Sequence, residues 1–74
     1  MNFHVGQHVY VGIRATVDSP PEWEPAIIER FAAVDFNWCW VNINAHDPEN
    51  ARTAWAHISE LRTLEEHAKV MLAT

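Results

Sequence analysis

The 74-residue sequence has only two glycines and one cysteine, and each shortage excludes a class of site. A glycine-rich phosphate-binding loop needs several closely spaced glycines, which Gly6 and Gly12 cannot supply. Cys39 has no second cysteine with which to form an internal disulfide bond or a paired-cysteine zinc site. A lone cysteine fits a reducing compartment, so we expect a cytoplasmic protein.

Basic residues are also scarce. Five Lys and Arg face ten Asp and Glu, which gives a formal net charge of −5 at pH 7. Affinity for nucleic acid grows with the number of phosphates that basic side chains neutralise, so direct binding of nucleic acid is disfavoured. An acidic surface favours a protein partner, one with a basic surface. Since no apolar run approaches ~20 residues and no signal-peptide pattern is present, we expect no membrane contact.

The sequence contains no recognisable catalytic or metal-binding constellation. Its five histidines are scattered, and His4 and His8 lie beside a strand rather than on one helical face. Cys39 lies between two tryptophans in a strand interior, where a cysteine is usually a small buried apolar residue. We therefore predict a protein that is not an enzyme and that holds no metal or cofactor.

Alternating apolar and aromatic residues are what the chain has in quantity. Residues 8–13 and 36–43 alternate with the two-residue period of a half-buried strand. Residues 26–34 fit a strand or a short helix, and the preceding proline favours the strand. Residues 14–25 contain three prolines and predict a long loop.

The C-terminal third has two interpretations. Asp47-Pro48-Glu49 is a typical helix start, and apolar residues at helical spacing then predict one helix from 48 to 73. Alternatively, residues 54–58 form a strand, a tight turn follows, and a short helix starts at Thr63, which forms a capping box with Glu66. Local propensity alone favours the single helix.

The order of short motifs resembles that of small SH3-like barrels of the KOW and Tudor-like kind. These motifs are VGQHVYV, PAII, WVNI and AWAHISELRTL, which span residues 5–64. The resemblance implies a mainly β single domain, residues 1–74, with a small SH3-like β-barrel over about 5–64 and a C-terminal helix over about 64–73. The alternative is a three-stranded antiparallel sheet packed on one long C-terminal helix. A proline- and acid-rich loop replaces the glycine usual between the first two strands of the family.

The two-residue period predicts which side chains point away from the interior. The predicted inward residues are Val9, Val11, Ile13, Cys39, Val41, Ile43, Ala56 and Ile58, and the predicted outward ones are Tyr10, Trp38, Trp40, Trp55 and His57. Outward aromatic residues on a small domain indicate a binding surface. Two alternatives remain: the C-terminal helix covers Trp38 and Trp40 as a second core layer, or a homodimer buries them.

A second candidate contact is Trp23, which lies between Glu22 and Glu24 in the expected loop. It either inserts into a partner or folds back over the open end of the barrel. From these features we predict a non-enzymatic protein-interaction module. One version is a phage- or mobile-element-type inhibitor of a host nucleic-acid-binding defence complex, similar in size and charge to anti-CRISPR proteins. The alternative, implied by the KOW-like resemblance, is a nucleic-acid-binding barrel that uses aromatic stacking.

Overall fold

The computed structural model describes residues 3–73, which form one antiparallel sheet and a short helix. The elements are β1 (His8–Ile13), β2 (Glu22–Phe31), β3 (Trp38–Ile43), β4 (Arg52–His57), a 3₁₀ turn (Ile58–Glu60), β5 (Leu61–Thr63) and α1 (Leu64–Leu72). The strand order is β4-β3-β2-β1-β5, and the sheet is not closed because its edge strands β4 and β5 do not pair. The prediction of a mainly β fold with a short C-terminal helix is confirmed. The alternative with one long C-terminal helix is wrong.

One face of the sheet forms the apolar core. The buried residues are Val9, Val11, Ala26, Ile28, Cys39, Val41, Ile43, Ala56 and Leu61. Ile13 and Ile58 are partly buried against this cluster, so the inward directions predicted for β1, β3 and β4 are confirmed. Helix α1 contributes no buried residue. The sheet must therefore curve around its own apolar face to exclude water from it.

A β-bulge in β2 sets the relation between β2 and β3. Ile28 lies opposite Val41, but the next paired residue of β2 is Arg30, which lies opposite Trp40. The extra residue, Glu29, lets two consecutive side chains of β2 face outward before the inward alternation resumes. The bulge therefore places Arg30 beside Trp40 on the outer face of the sheet.

The proline-rich loop is shorter than expected, because β2 begins at Glu22 rather than after Pro25. Trp23 therefore lies in a strand, opposite Gly12 of β1, and not in a loop. A proline fits in β2 here because its neighbour β3 pairs only from Ala26 onward, so no ladder bond from residue 25 is lost on that side. The prediction of a loop over residues 22–25 is thus wrong, and Trp23 is half-buried.

The predicted helix start at residue 47 is also wrong. The carboxylate of Asp47 accepts hydrogen bonds from the backbone N–H of Glu49 (3.2 Å) and from the side-chain amide of Asn50 (2.6 Å). These bonds close a local turn, and the same bonds lower the pKa of Asp47, the bond from Asn50 most. Asp47 therefore forms a turn within the β3–β4 connection, residues 44–51, instead of starting a helix.

Two capping boxes shape the end of the chain. The ring Nδ1 of His57 accepts a hydrogen bond from the backbone of Ser59 (3.1 Å), and Glu60 accepts one from the backbone of His57 (3.0 Å). The hydroxyl of Thr63 accepts from the backbone of Glu66 (3.0 Å), and the Glu66 carboxylate accepts from the backbone of Thr63 (3.1 Å). The predicted Thr63 cap is confirmed, whereas strand β5 between the two boxes was not predicted.

Candidate functional site

The outer face of the sheet carries its aromatic side chains in two separate clusters. The first, which we call the β3–β4 tryptophan cluster, consists of Trp38, Trp40, Trp55 and His57. The second, which we call the helix-covered cluster, consists of Tyr10, Trp23, Arg62 and His67. Sequence patterning predicts one outward face for Tyr10, Trp38, Trp40, Trp55 and His57, but it does not separate Tyr10 from the others or add Trp23.

In the β3–β4 tryptophan cluster the rings contact one another across two strands. Trp38 and Trp55 are nearly parallel, with an interplanar angle of 8° and ring centroids 5.6 Å apart. Trp40 is tilted by 58° against Trp55 at 4.8 Å, and His57 meets Trp38 edge to face at 4.9 Å. Such offset and edge contacts are the arrangements that aromatic quadrupoles favour. The rings therefore form a fixed platform rather than independent side chains.

The hydrogen-bond pattern between β3 and β4 explains why these rings lie so close. The backbone N–H of Ile58 donates to the carbonyl of Asn37 at 2.9 Å, so residues 37 and 58 form a hydrogen-bonded pair. Because antiparallel pairs alternate, Trp38 opposite His57 and Trp40 opposite Trp55 are then non-hydrogen-bonded pairs. Side chains approach closest at such positions, which brings the aromatic rings into contact.

The β3–β4 tryptophan cluster is open to solvent and has a polar rim. Trp55 is 46% exposed, whereas Trp38 and Trp40 are half-buried. The Arg30 guanidinium lies over the Trp40 ring at 5.7 Å from its centroid. On the same side of Trp40, Glu29 accepts a hydrogen bond from the Thr53 hydroxyl at 3.3 Å.

A surface depression borders this rim. Glu29, Arg30, Trp40 and Thr53 line a cavity of about 410 Å³. The β2–β3 connection that leads into Trp38 adds further apolar surface, since Val34 is 98% exposed and Phe36 is 61% exposed. The cluster is thus an aromatic surface with a donor, an acceptor and a recess beside it.

The helix-covered cluster is occupied by the protein's own side chains. The His67 ring of α1 stacks on Tyr10 at 3.8 Å, with an interplanar angle of 16°. The Arg62 guanidinium lies over the Trp23 ring at 3.7 Å from its centroid. A Cβ atom on Gly12 would meet Trp23 at 3.1 Å, so Trp23 lies close over the glycine backbone. Tyr10 and Trp23 therefore hold β5 and α1 against the sheet through their contacts with Arg62 and His67.

This arrangement decides where the helix lies. Helix α1 packs against β5 and β1, next to Tyr10, at the opposite end of the strand order from β4. The alternative in which α1 covers Trp38 and Trp40 as a second core layer is therefore wrong. The roles of Arg62 and His67, which hold the helix in place, were missed in the sequence because they depend on the pairing of β5 with β1.

The acidic residues predicted to meet a partner differ in their surroundings. Glu22 is exposed at the start of β2. Glu24 forms an ion pair with Arg52 at 2.8 Å and accepts a hydrogen bond from the Asn44 side chain at 3.4 Å. Because β3 lies between β2 and β4, this ion pair spans the end of β3. Glu24 is therefore already engaged within the fold.

Cys39, the second residue of β3, is fully buried. Burial, with a smaller contribution from the negative charge of Glu60, raises the pKa of the Cys39 thiol. The thiol therefore stays protonated and inaccessible, as predicted for a small apolar core residue.

Two further properties concern residues 3–73. In this part of the chain, no three His, Cys, Asp or Glu side chains lie together so as to hold a metal ion. The single α-helix described there is too short to cross a bilayer.

Comparison of the chain with known protein families, with curated proteins and with solved structures finds no match. The function must therefore be inferred from the chemistry of the β3–β4 tryptophan cluster.

Proposed function

We propose that the protein is a non-enzymatic interaction module that binds another protein through its β3–β4 tryptophan cluster. The observation that carries this proposal is the stack of Trp38 and Trp55, with Trp40 tilted against it, on a sheet face that α1 leaves open. Tryptophan is the residue type most enriched among interface hot spots, because a rigid ring buries much area at little entropic cost.

The dimensions of the cluster suit the centre of an ordinary interface. A standard interface buries ~800 Å² per partner. Trp55 is 46% exposed, so about 115 Å² of its ~250 Å² is still free to be buried by a partner. Three rings therefore provide the apolar centre, and Arg30, Glu29 and Thr53 provide polar groups at its rim. Hot spots are typically enclosed by such a rim, which excludes water from the centre.

The negative charge of the protein indicates the charge of its partner. The net charge of −5 favours a basic partner by long-range attraction. However, several carboxylates are already engaged within the fold, such as Glu24 with Arg52 and Glu60 in its capping box. We therefore assign affinity to the tryptophans and rate of association to the acidic residues. In the inhibitor version of this function, the acidic surface faces the basic nucleic-acid channel of a defence complex, which rests on size and charge alone.

Capture from a lysate with matched variants tests the proposal. We expect Trp55→Thr to lose the captured partner, because threonine keeps strand propensity but removes the ring. Leu72→Thr is the control, since Leu72 is 87% exposed on α1 and lies outside the cluster. Raising the salt concentration should slow association with the wild type more than it speeds dissociation. Equal capture by both variants would refute a binding role for the cluster.

A second candidate function is binding of single-stranded nucleic acid by base stacking. One observation favours it: a positive charge, Arg30, lies beside an exposed aromatic platform at Trp40. A gel shift with single- and double-stranded oligonucleotides at low salt separates the candidates. No shift at micromolar protein would remove this function and leave protein binding.

We further infer that the open sheet is a variant of the SH3-like arrangement. Two features support this: β5 lies beside β1 although it is last in sequence, and a single 3₁₀ turn joins it to β4. The absence of contacts between β1 and β5 in NMR spectra would contradict it.

A further inference from the structure

The free edge of β4 is a feature that the proposed function does not use. Of the two edges of the sheet, β5 has three residues and continues directly into α1. Strand β4 has six residues, RTAWAH, without a proline, a lysine or a bulge. These are the devices by which proteins commonly protect an exposed edge from pairing. Strand β4 is thus an unprotected edge.

The ladder with β3 shows which backbone groups of β4 face outward. Since residues 37 and 58 form a hydrogen-bonded pair, the even-numbered residues of β4 direct their N–H and C=O groups toward β3. The odd-numbered residues Thr53, Trp55 and His57 direct theirs to the free edge. The N–H of His57 donates to the Glu60 carboxylate at 3.0 Å. Thr53 and Trp55 are therefore the residues of β4 with both edge groups available.

Open space borders this edge. The inner side of β4 and the end of β1 line a cavity of about 270 Å³, whose boundary includes Gly12, Arg14, Trp55 and Glu60. No strand of the described part of the chain occupies the position next to β4. An incoming strand would lie about 4.8 Å from β4, the usual spacing between paired strands.

We propose that a second copy of this chain pairs with this edge, β4 against β4, antiparallel about a two-fold axis at Ala54. In this register Thr53 of each copy lies opposite Trp55 of the other and forms a hydrogen-bonded pair with it. The pairing uses the N–H and C=O groups of Thr53 and Trp55 in both copies and leaves none unsatisfied. A register centred on Trp55 instead would pair Thr53 with His57, whose N–H is already bound to Glu60.

Side-chain chemistry also fits self-pairing. Arg52 is the only charged residue of β4, it is already paired with Glu24, and in this register it faces Ala56 of the second copy. No like charges meet across the junction, which would otherwise be destabilising. The register also keeps inner residues opposite inner residues, so the outer faces of the two sheets become continuous.

This pairing would extend the β3–β4 tryptophan cluster across the junction between the two copies. Trp55 is the tryptophan of the cluster that lies on the edge strand, and at 46% it is the most exposed ring of the cluster. Pairing places the Thr53 side chain of the second copy beside Trp55 and joins two clusters into one aromatic band. This dimer does not depend on the proposed partner binding, which one chain can perform with its own three tryptophans.

The molecular mass in solution tests the dimer. Light scattering on eluting protein should give twice the chain mass of 8.5 kDa at high micromolar concentration, falling on dilution. Thr53→Pro removes the edge N–H, which is not used within the chain, and should raise the dissociation constant at least about tenfold. Thr53→Val is the matched control, because it also loses the hydroxyl but keeps the N–H, and it should remain dimeric.

Amide hydrogen exchange provides a second measurement that needs no variant. The amides of Thr53 and Trp55 should exchange more slowly as protein concentration rises, whereas the exchange of the exposed residues 16–18 should not change. A wild type that stays monomeric up to millimolar concentration overturns the proposal. So does a dimer that Thr53→Pro leaves intact, or concentration-independent exchange at these two amides.

Discussion

Replacing Trp55 by alanine tests whether the outer aromatic residues stabilise the fold as well as bind. Trp55 is 46% exposed, so slightly more than half of its surface is covered by its neighbours. If the whole side chain offers ~250 Å², about 135 Å² is out of water. At ~25 cal/mol per Å², and allowing for a compact unfolded chain, Trp55→Ala should lower the free energy of unfolding by about 2–3 kcal/mol.

This loss is large against the stability of so small a domain. At ~0.05–0.15 kcal/mol per residue, a chain of 74 residues has a total stability of about 4–11 kcal/mol. The variant should therefore remain folded at 25 °C, while its Tm falls by about 8–24 °C at ~4–8 °C per kcal/mol. Urea titration followed by circular dichroism measures the change, at low micromolar protein so that any dimer does not contribute.

The matched control is Val34→Ala. Val34 is also apolar but 98% exposed, so its truncation should change stability by less than about 0.5 kcal/mol. A double-mutant cycle of Trp38→Ala and Trp55→Ala should in addition give a coupling energy of about 0.5–1.5 kcal/mol from their stacked rings. If Trp55→Ala changes the free energy of unfolding as little as Val34→Ala does, the rings do not form the platform described above.

Further predictions concern the fastening of β5 and α1 and the chemistry of the core. Gly12→Ala should lower the free energy of unfolding by about 1–3 kcal/mol and alter tryptophan fluorescence, because the new Cβ atom would lie 3.1 Å from the Trp23 ring. Thr63→Ala should lower the free energy of unfolding by about 1 kcal/mol and reduce the helical circular dichroism signal. An unchanged stability and spectrum would contradict a role for the cap. Hydrogen bonds from Thr63 lower the pKa of Glu66, so its stabilising contribution should vanish as pH falls below the ordinary value of 4.5. Glu66→Gln should remove that part of the acid dependence in a pH series of urea titrations. A thiol reagent should label Cys39 only on unfolding, since burial raises its pKa, and rapid labelling of the folded protein would contradict this.

The side-chain directions of β1 and β3 are predictable because they depend on local alternation. Residues 8–13 match β1, and residues 38–43 of the predicted third strand match β3. Since a strand buried on one face must alternate, the inward set follows from the sequence without knowledge of the neighbouring strands.

Strand β2 and the start of β4 are not predictable by the same means. In β2 the bulge at Glu29 interrupts the alternation, so the sequence IIERF resembles neither a regular strand nor a regular helix. In β4 the helical spacing of Ala51, Ala54 and Trp55 is overridden by cross-strand packing of Trp55 on Trp38 and Trp40. Both outcomes depend on the partner strand, which local patterns do not contain.

The separation of the outer aromatic residues into a covered and an open cluster also depends on non-local pairing. Strand β5 pairs with β1, which brings Arg62 opposite Tyr10 and sets α1 beside it. A three-residue strand carries too little pattern to be recognised in the sequence. The composition of the binding surface therefore follows from the position of β5, although each aromatic side chain faces outward by local alternation alone.

The geometry of α1 gives a reason why the β3–β4 tryptophan cluster stays open. Strand β3 lies two positions from β1, about 10 Å at ~4.8 Å per strand, and β4 lies about 14 Å away. Helix α1 begins directly at the end of β5, on the far side of β1, and its nine residues extend only about 14 Å along its axis. Stacking of His67 on Tyr10 holds that axis over β1 and β5, so the helix cannot also cover Trp38 and Trp55. The same contact that completes one half of the outer face thus leaves the other half, with its three tryptophans, available to another molecule.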